Sequence, residues 1–364
     1  MPRTPSNNTL APLLNKLSQK LGEQQAKNEL RWMVDHVHAA MDEARQQQIA
    51  QSERAAHRAA RLWRNQPARS AAEIERESIR FSSVQWAWLR QAVFDRTESH
   101  KPLQYILGNQ PFGQANISVR PPVLIPRWET EEWMLRLAGM LNIHTGTSSA
   151  KEVGQRPLNI LDACTGSGCI ALGLACGLAP GLAAITGVDI SNEAIALAED
   201  NLALNSMLIK NKVGFCNLDL QAPGAALRLR DIASSWDIIV SNPPYVTPSE
   251  YSELDPDVKE WEDIRALVPL PADADPCKVQ LRELDPSGVS FIVQLAKLAQ
   301  ELDVVDSQNT SLAGTALPRL VVEIGGEKQV EPVCQAMHDH GFNSTEVWKD
   351  MAGIDRVVLG YVKV

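Results

Sequence analysis

Residues 160–175 read ILDACTGSGCIALGLA: an apolar run, a turn with two glycines and a second apolar stretch. The first run predicts a buried strand that ends at Asp162, and the second predicts a helix whose first amide groups remain free. Gly166 and Gly168 allow a tight turn between them and let a ligand approach the backbone. The next apolar run ends at Asp189, where such folds place a carboxylate that binds a ribose. The stretch therefore predicts a strand–turn–helix site for a nucleoside cofactor.

The length and the charge of this turn favour S-adenosylmethionine over NAD as the cofactor. The turn at 165–168 is shorter than the GxGxxG turn of dinucleotide-binding sites. The carboxylate of Asp162 would attract a cationic methionine moiety and repel a pyrophosphate. A tight turn that binds no ligand is the structural alternative. The residues predicted to bind the cofactor here are Asp162, Thr165, Gly166, Ser167, Gly168 and Asp189.

A second motif ends the later apolar run IIVSNPPY at residues 238–245. Ligands of open parallel sheets bind beyond the carboxyl ends of the strands, so Asn242 and the residues after it are expected to face the cofactor. Pro243 and Pro244 restrict the backbone and lack N–H groups. The side-chain carbonyl of Asn242 and the backbone carbonyl of Pro243 therefore remain as two acceptors for a substrate NH2 group.

Two such acceptors suit methyl transfer to a planar nitrogen. An amide or aromatic amine nitrogen is a poor nucleophile because its lone pair is delocalised. Acceptors aimed at its two hydrogens favour the positive charge that develops on nitrogen as it attacks a sulfonium methyl group. Tyr245 is expected to pack against the planar group, whereas a turn without chemical meaning is the alternative. The predicted catalytic residues are Asn242, Pro243, Pro244 and Tyr245, and Asn242 is also expected to contact the cofactor.

Apolar runs and helical patterns alternate after residue 157, which is typical of a parallel α/β sheet. Strands are predicted at 158–162, 184–189, 212–216, 236–241, 319–324 and 355–361. Helices are predicted near 168–178, 192–204, 287–302 and 328–341, with Ser191 as the N-cap of the second. The polar stretches at 270–286 and 303–318 are predicted to be insertions or loops.

The first hundred residues have a different, helical character. One helix face is predicted from the recurrence of Leu30, Met33, Val34, Val37 and Met41. Stretches at 51–64, 71–80 and 83–95 are rich in good helix formers. Short β-prone pieces broken by Gly-Asn and Pro-Pro follow, and a polar surface loop is predicted at 144–157. The predicted organisation is a helical domain at 1–100, a β-hairpin linker at 101–126 and a Rossmann-like domain at 127–364.

Composition excludes several classes of protein. The 364 residues are 44% apolar and 22% charged, as in soluble globular proteins of about two domains. A net charge of −9 argues against a protein that mainly grips a nucleic-acid backbone. No apolar run approaches the roughly 18 residues of a membrane helix. The six cysteines form no C-x-x-C pair, which indicates reduced, packed thiols and no metal site.

Residues from about 100 to 364 resemble the HemK-type (PrmC-type) release-factor glutamine methyltransferases, whose members have a class I Rossmann-like methyltransferase domain. The motifs that carry the resemblance are PLQYILG (102–108), LIPRWETE (124–131), ILDACTGSG (160–168), SNPPYV (241–246), WEDIRAL (261–267), VVEIGGEKQ (321–329) and KDMAGIDRVVLG (349–360). The resemblance implies N5-methylation, by S-adenosylmethionine, of the glutamine in the Gly-Gly-Gln motif of a peptide-chain release factor. It implies that the helical domain recognises this protein in translation termination.

The resemblance also assigns roles to residues. It implies that Gly166, Ser167 and Gly168 line the methionine moiety, that Asp189 binds the ribose and that Asp219 lies near the adenine. It implies that the residues from Asn242 to Tyr245 hold the target amide, and that Arg127 and Glu262 flank the site. Three positions depart from the family pattern. Leu220 stands where an aromatic residue is common. The first turn reads ACTGSG, with Ala163 and Cys164 at its start, where GTGSG is commoner. We expect Leu220 to contact the cofactor and Cys164 to be a packing residue.

Two other functions share parts of this pattern. An adenine-N6 methyltransferase acting on nucleic acid would share the Asn-Pro-Pro-Tyr motif and the glycine turn, but it needs a basic face for base flipping. A different protein-glutamine target would need the same chemistry, and a protein that kept the fold as a scaffold would not need the intact motif. The preferred partner is therefore a release factor, with no direct nucleic-acid contact, no membrane and a monomeric enzyme.

The compartment is suggested by the first 22 residues. They contain no acidic residue and carry Arg3, Lys16 and Lys20. This composition is typical of an organellar transit peptide and favours a mitochondrial protein. A disordered start that runs into a helix, in a cytoplasmic enzyme, is the alternative.

Overall fold

The computed structural model describes residues 9–46, 81–144, 156–271, 274–304 and 317–362. The helices predicted at 51–64 and 71–80 lie outside the described residues, as do most of the loops predicted at 144–157 and 303–318. Contacts divide the chain into two units, Met1–Asn109 with Pro256–Trp261, and Gln110–Asp255 with Glu262–Val364. A short segment from the second half of the chain thus belongs to the N-terminal unit.

Helices and strands are numbered in chain order. The helices are α1 (Ala11–Leu21), α2 (Glu23–Gln46), α3 (Ser83–Thr97), α4 (Leu103–Leu107), α5 (Trp128–His144), α6 (Cys169–Gly177), α7 (Asn192–Leu204), α8 (Ala225–Ile232), α9 (Pro248–Glu253), α10 (Pro256–Lys259), α11 (Ser290–Glu301) and α12 (Glu327–Asp339). The strands are β1 (Asn109–Phe112), β2 (Ala115–Ser118), β3 (Leu158–Ala163), β4 (Ala183–Asp189), β5 (Lys212–Asn217), β6 (Ile238–Ser241), β7 (Leu320–Glu323), β8 (Ser344–Lys349) and β9 (Asp355–Tyr361).

The N-terminal unit is helical and has its own core. Leu30, Met33, Val34 and Val37, predicted to share a helix face, are all buried in α2, while the side chain of Met41 lies outside those described. They pack with residues of α1 and α3, including Leu17, Trp86 and Leu89. A capping box begins α3, since Ser82 and Gln85 each accept a hydrogen bond from the other's backbone N–H.

An ion pair is buried in this helical unit. Arg96 donates to both carboxylate oxygens of Glu29, at 2.8 and 3.2 Å, and Glu29 is only 3% exposed. Arg96 also donates to Asp257 in α10, at 3.3 Å. Trp261 donates to the Ser99 carbonyl at 2.9 Å and its ring faces that of Tyr105. These contacts attach the segment 256–261 to the helical unit.

We expect Arg96→Met to destabilise the protein strongly. The change leaves the Glu29 carboxylate buried without its cation, and breaking a buried pair in this way costs about 3–5 kcal/mol. Denaturant unfolding of the variant and the parent measures the loss. Lys27→Met, which removes an exposed ion pair to Glu23 in the same helix, is the control and should change stability little. Equal stability of the two variants would mean that the buried ion pair of Arg96 contributes nothing to the free energy of unfolding.

The second unit is built on a seven-stranded sheet in the order β5-β4-β3-β6-β7-β9-β8. The five strands from β5 to β7 run parallel, and β9 and β8 complete the sheet as antiparallel strands. The predicted α/β fold is confirmed, and each predicted strand is present with ends shifted by at most two residues. Ser191 caps α7 as predicted, accepting from the Ala194 N–H at 3.2 Å.

One strand and three helices of this unit were missing from the sequence prediction: β8, α5, α8 and α9. β8 was missed because it is an edge strand in which only Trp348 is buried, so it contains no apolar run. The helices α8 and α9 were missed because they have only 8 and 6 residues, too few to show a clear helical period. α5 was missed because it also carries apolar residues on its exposed face, including Trp128 and Leu135. The predicted hairpin is present as the pair β1–β2.

The core of the second unit lies between the sheet and its covering helices. Strand residues such as Leu161, Ile239 and Val322 pack against Leu295 of α11 and Met337 of α12. β6 and β7 are buried along their whole length, which explains why they read as uninterrupted apolar runs. No described helix is both long and apolar enough to cross a membrane. The described residues also contain no group of three His, Cys, Asp or Glu side chains that could hold a metal ion.

Candidate active site

The turn after β3 requires glycine at two positions for two different reasons. Gly166 has a φ of +54° and open space where a side chain would stand, so its backbone faces a cavity. Gly168 has a φ of +79°, and a Cβ there would lie 2.9 Å from the ring of Phe215 and 3.1 Å from Ala198. Gly166 therefore leaves room for a ligand, while Gly168 lets the start of α6 pack closely.

Asp162 is buried beneath this turn. Its Oδ2 accepts from the Thr165 hydroxyl at 2.6 Å and from the Ala171 N–H at 3.1 Å. Its Oδ1 has no hydrogen-bond partner in the described part of the chain. Burial raises the pKa of this carboxyl to about 7, and the hydrogen bonds from Thr165 and Ala171 oppose the rise. Asp162 thus ties the turn to the first turn of α6.

The raised pKa of Asp162 predicts a pH-dependent stability. The ordinary pKa is 3.8, so between about 4 and 7 the folded chain holds a proton that the unfolded chain releases. Stability from this group is present at low pH and is lost as pH rises through the folded value. We expect the unfolding free energy of the parent, relative to Asp162→Asn, to fall from pH 5 to pH 8 in denaturant titrations. A difference that stays constant with pH would contradict this effect of burial.

Asp189 holds the end of β4 against the turn. Its Oδ2 accepts from the Gly166 N–H and its Oδ1 from the Ser191 N–H, both at 2.9 Å. Burial raises the pKa of the Asp189 carboxyl, and these two backbone hydrogen bonds oppose the rise. Asp189 lines a cavity, and each of its oxygens can accept a further hydrogen bond, as two ribose hydroxyls would require.

A cavity of about 300 Å3 opens at the carboxyl ends of β3, β4, β5 and β6. Six predicted site residues line it: Gly166, Asp189, Asp219, Leu220, Asn242 and Pro244. The other predicted residues are not on its described wall: Asp162, Thr165, Ser167, Gly168, Pro243, Tyr245, Arg127 and Glu262. Asp162, Thr165 and Ser167 are buried instead. Apolar side chains that include Leu218, Leu220 and Phe291 also line the cavity.

Cys164 lines the cavity as well, although the sequence suggested a packing role. Its φ is +59°, a conformation rare for a residue with a side chain. Burial raises the pKa of its thiol, and the neighbouring carboxylates Asp189 and Asp162 raise it further. The side chain therefore remains a neutral thiol and a weak nucleophile.

One wall of the cavity is formed by two segments that are joined to each other. The Asp263 N–H donates to the Pro122 carbonyl at 2.8 Å. The buried Glu262 carboxylate accepts from the Ile125 N–H at 3.2 Å and from Arg127 at 2.5 Å. The ion pair between Arg127 and Glu262 therefore stabilises the contact between the two wall segments, although neither residue lines the cavity.

Arg265 was not anticipated from the sequence. It lines the cavity and pairs with Asp263, with its closest N–O distance at 2.6 Å. The hydrogen bonds that Arg265 donates to Asp263 raise the pKa of its guanidinium, and the charges of Glu193 and Asp189 add to this effect. Its positive charge offsets the acidic groups on this side of the cavity.

Asn242 leaves β6 at the cavity edge. Its Nδ2 donates to the Thr130 hydroxyl of α5 at 3.0 Å. Its Oδ1 accepts no hydrogen bond from the part of the chain that the structure describes. The Tyr245 hydroxyl donates to Glu323 at 3.0 Å, and the Tyr245 carbonyl accepts from Gln329 at 2.8 Å. The motif is thus held at both ends, with one side-chain carbonyl left available.

Thr130, Trp133, Glu323 and Gln329 form this support, and sequence reasoning assigned them no role. Thr130 belongs to the quoted block at 124–131, and Glu323 and Gln329 belong to the block at 321–329. A buried strand that ends in a glutamate was the signal that could have pointed to Glu323, since a buried carboxylate needs partners.

Comparison with known proteins places this site in a family. The family model "Methyltransferase small domain" matches residues 150–254. The chain is 32% identical over 269 residues to the release factor glutamine methyltransferase of Thermodesulfovibrio yellowstonii, covering 74% of this chain and 79% of that protein. The chain belongs to the release factor glutamine methyltransferase family. The predicted family and the predicted class of methyltransferase fold are confirmed.

Other members of the release factor glutamine methyltransferase family are covered less fully. The mitochondrial MRF1 N(5)-glutamine methyltransferase MTQ1 of Saccharomyces cerevisiae is 37% identical over 187 residues, which is 51% of this chain and 54% of that protein. The relative from Fusobacterium nucleatum is 32% identical over 271 residues, covering 74% of this chain and 63% of its own length. The chain therefore spans between half and two thirds of these two relatives.

Proposed function

We propose that this protein transfers a methyl group from S-adenosylmethionine to the side-chain nitrogen of the glutamine in the Gly-Gly-Gln motif of a peptide-chain release factor. The product is N5-methylglutamine in a protein of translation termination. The observation that carries the proposal is the Oδ1 of Asn242, which accepts no hydrogen bond from the described residues and lies beside a cavity that also holds Asp189. Membership of the release factor glutamine methyltransferase family supports the same substrate.

The cavity residues fit the proposed methyl donor. The two oxygens of Asp189 are placed for ribose hydroxyls, and the open backbone at Gly166 leaves space for the methionine part. Leu218, Leu220 and Phe291 offer an apolar surface to a flat purine ring. When bound, the donor supplies an electrophilic methyl group on a positively charged sulfur.

The Asn-Pro-Pro-Tyr motif would then prepare the glutamine nitrogen. The Asn242 Oδ1 and the Pro243 carbonyl each accept one N–H of the substrate amide. This arrangement orients the nitrogen toward the methyl group and stabilises the charge that it acquires. After the transfer the nitrogen is positively charged and acidic, so one of its protons passes to solvent water and no strong general base is needed in the motif.

The helical unit is proposed to recognise the release factor. It carries the segment 256–261, which directly precedes Glu262 and the cavity wall in the chain. A partner that binds the helical unit would therefore bind the part of the protein whose chain leads directly into the cavity wall. The acidic net charge of −9 suits a basic protein partner better than a nucleic acid.

The compartment is proposed to be the mitochondrion. The acid-free first 22 residues and the likeness to a yeast protein named as mitochondrial support it. Residues 1–40 fused to a fluorescent protein should direct it to mitochondria. A diffuse cytosolic signal would favour the cytoplasmic alternative.

Methyl transfer from labelled S-adenosylmethionine tests the substrate. The purified protein is offered a mitochondrial-type release factor, the same factor with its Gly-Gly-Gln glutamine changed to alanine, and adenine-containing DNA. We expect label on the unaltered factor alone. Label on DNA would favour adenine methylation, and equal label on the alanine variant would show a different protein target.

A further inference from the structure

Glu323 is a buried carboxylate that the proposed chemistry does not use. It ends β7 and is 1% exposed. Ser241 of β6 pairs with Val322 of β7, so Asn242 and Glu323 leave neighbouring strands at the same edge of the sheet. A carboxylate in such a place is costly unless donors surround it.

Three donors from two other elements converge on this carboxylate. The Thr130 hydroxyl and the Trp133 indole N–H, one turn apart on α5, donate to its Oε2 at 2.7 and 2.8 Å. The Tyr245 hydroxyl donates to its Oε1 at 3.0 Å. Burial raises the pKa of Glu323, while these three hydrogen bonds favour the ionised form.

The direction of these hydrogen bonds determines which way the Asn242 amide faces. A threonine hydroxyl has one hydrogen, and that of Thr130 is given to Glu323. Toward Asn242 the Thr130 oxygen can therefore only accept, and it accepts from Nδ2 at 3.0 Å. The carbonyl end of the amide must then face the opposite way. A flipped amide would place two lone-pair oxygens against each other at Thr130 and two NH2 groups against each other at the substrate.

We propose that Glu323 and Thr130 are positioning residues that orient the Asn242 amide, so that Oδ1 and not Nδ2 meets the substrate nitrogen. The inference rests on the proposed transfer to a glutamine amide. The same carboxylate holds the Tyr245 hydroxyl, so one buried charge sets both ends of the Asn-Pro-Pro-Tyr motif. Gln329 completes the support through its bonds to the Tyr245 carbonyl and the Gly325 N–H, at 2.8 and 2.7 Å.

Thr130→Val tests this role because it removes the hydroxyl with little change of shape. We expect kcat to fall by about 10- to 100-fold, the range known for outer-shell partners that orient metal ligands. The cofactor dissociation constant and the KM for the release factor should change less than about threefold, since both binding surfaces remain. Thr130→Ser keeps the hydroxyl and should recover most of the rate. Thr97→Val, which removes a buried hydroxyl bound to the Val93 carbonyl in α3, is the matched control.

A second readout does not depend on turnover. In protein labelled with 15N-asparagine, the side-chain NH2 signal of Asn242 should be protected from hydrogen exchange in the parent and in Thr130→Ser. It should lose that protection in Thr130→Val. Unchanged protection and a kcat within twofold of the parent would overturn the inference while leaving the proposed methylation intact. An inactive parent that shows the protection pattern would retain the orientation of Asn242 and discard the proposed substrate.

Discussion

Asn242→Ala should bind S-adenosylmethionine with the affinity of the parent and lose turnover on the release factor. The substitution removes one of the two acceptors at the reacting nitrogen and leaves Asp189 and the rest of the cavity wall in place. Removing one preorganised hydrogen-bonding group that stabilises developing charge lowers kcat by about 100- to 1000-fold. We expect a loss of at least this size, because the side chain also orients the amide.

Single-turnover methyl transfer and calorimetric titration of the cofactor separate the two effects. Asn192→Ala, at an exposed position at the start of α7, is the control and should behave as the parent. A wild-type rate in Asn242→Ala would discard the mechanism. A large loss of cofactor affinity in that variant would instead make Asn242 chiefly a cofactor ligand.

Asp189→Ala should weaken cofactor binding rather than the chemical step. The variant loses the acceptors for the ribose hydroxyls and the hydrogen bond that holds the Gly166 backbone at 2.9 Å. A hydrogen bond to a charged group contributes about 1.5–3 kcal/mol, so the dissociation constant should rise by about 10- to 100-fold. At saturating cofactor, kcat should recover toward that of the parent.

The measurement is calorimetric titration with S-adenosylmethionine, followed by rates at high cofactor concentration. Glu193→Ala is a suitable control, since this exposed acid lies beside Ser191 but outside the cavity wall as described. Unchanged affinity in Asp189→Ala would show that the ribose is bound elsewhere. A low rate that cofactor cannot restore would assign Asp189 to the chemistry.

The structure separates the roles of two neighbouring acids. Asp162 and Asp189 end adjacent parallel strands, and both were expected to contact the cofactor. The structure brings only Asp189 to the cavity wall, while Asp162 accepts hydrogen bonds from Thr165 in the turn and from Ala171 in α6. Sequence position alone could not distinguish them, because both follow apolar runs at the same edge of the sheet.

Sequence alone determined the α/β fold of the second unit, because the central parallel strands β3, β6 and β7 are buried on both faces and read as apolar runs. It also determined the places of Gly166, Asp189 and Asn242, since the period of the strands fixes where each one ends and the carboxyl ends of parallel strands meet at one edge. The restriction that the two prolines after Asn242 place on the backbone is a local property, so it could be predicted without the tertiary structure.

Only the tertiary structure decided which way those side chains face and what holds them. Thr130 and Glu323 are 193 residues apart and Arg127 and Glu262 are 135 apart, and no local pattern connects such positions. The same holds for Asp257, which lies in the second half of the chain and pairs with Arg96 in the helical unit. A hydrogen bond depends on angstrom distances between atoms that packing brings together, whereas periodicity in a sequence reports only which face of each element is buried.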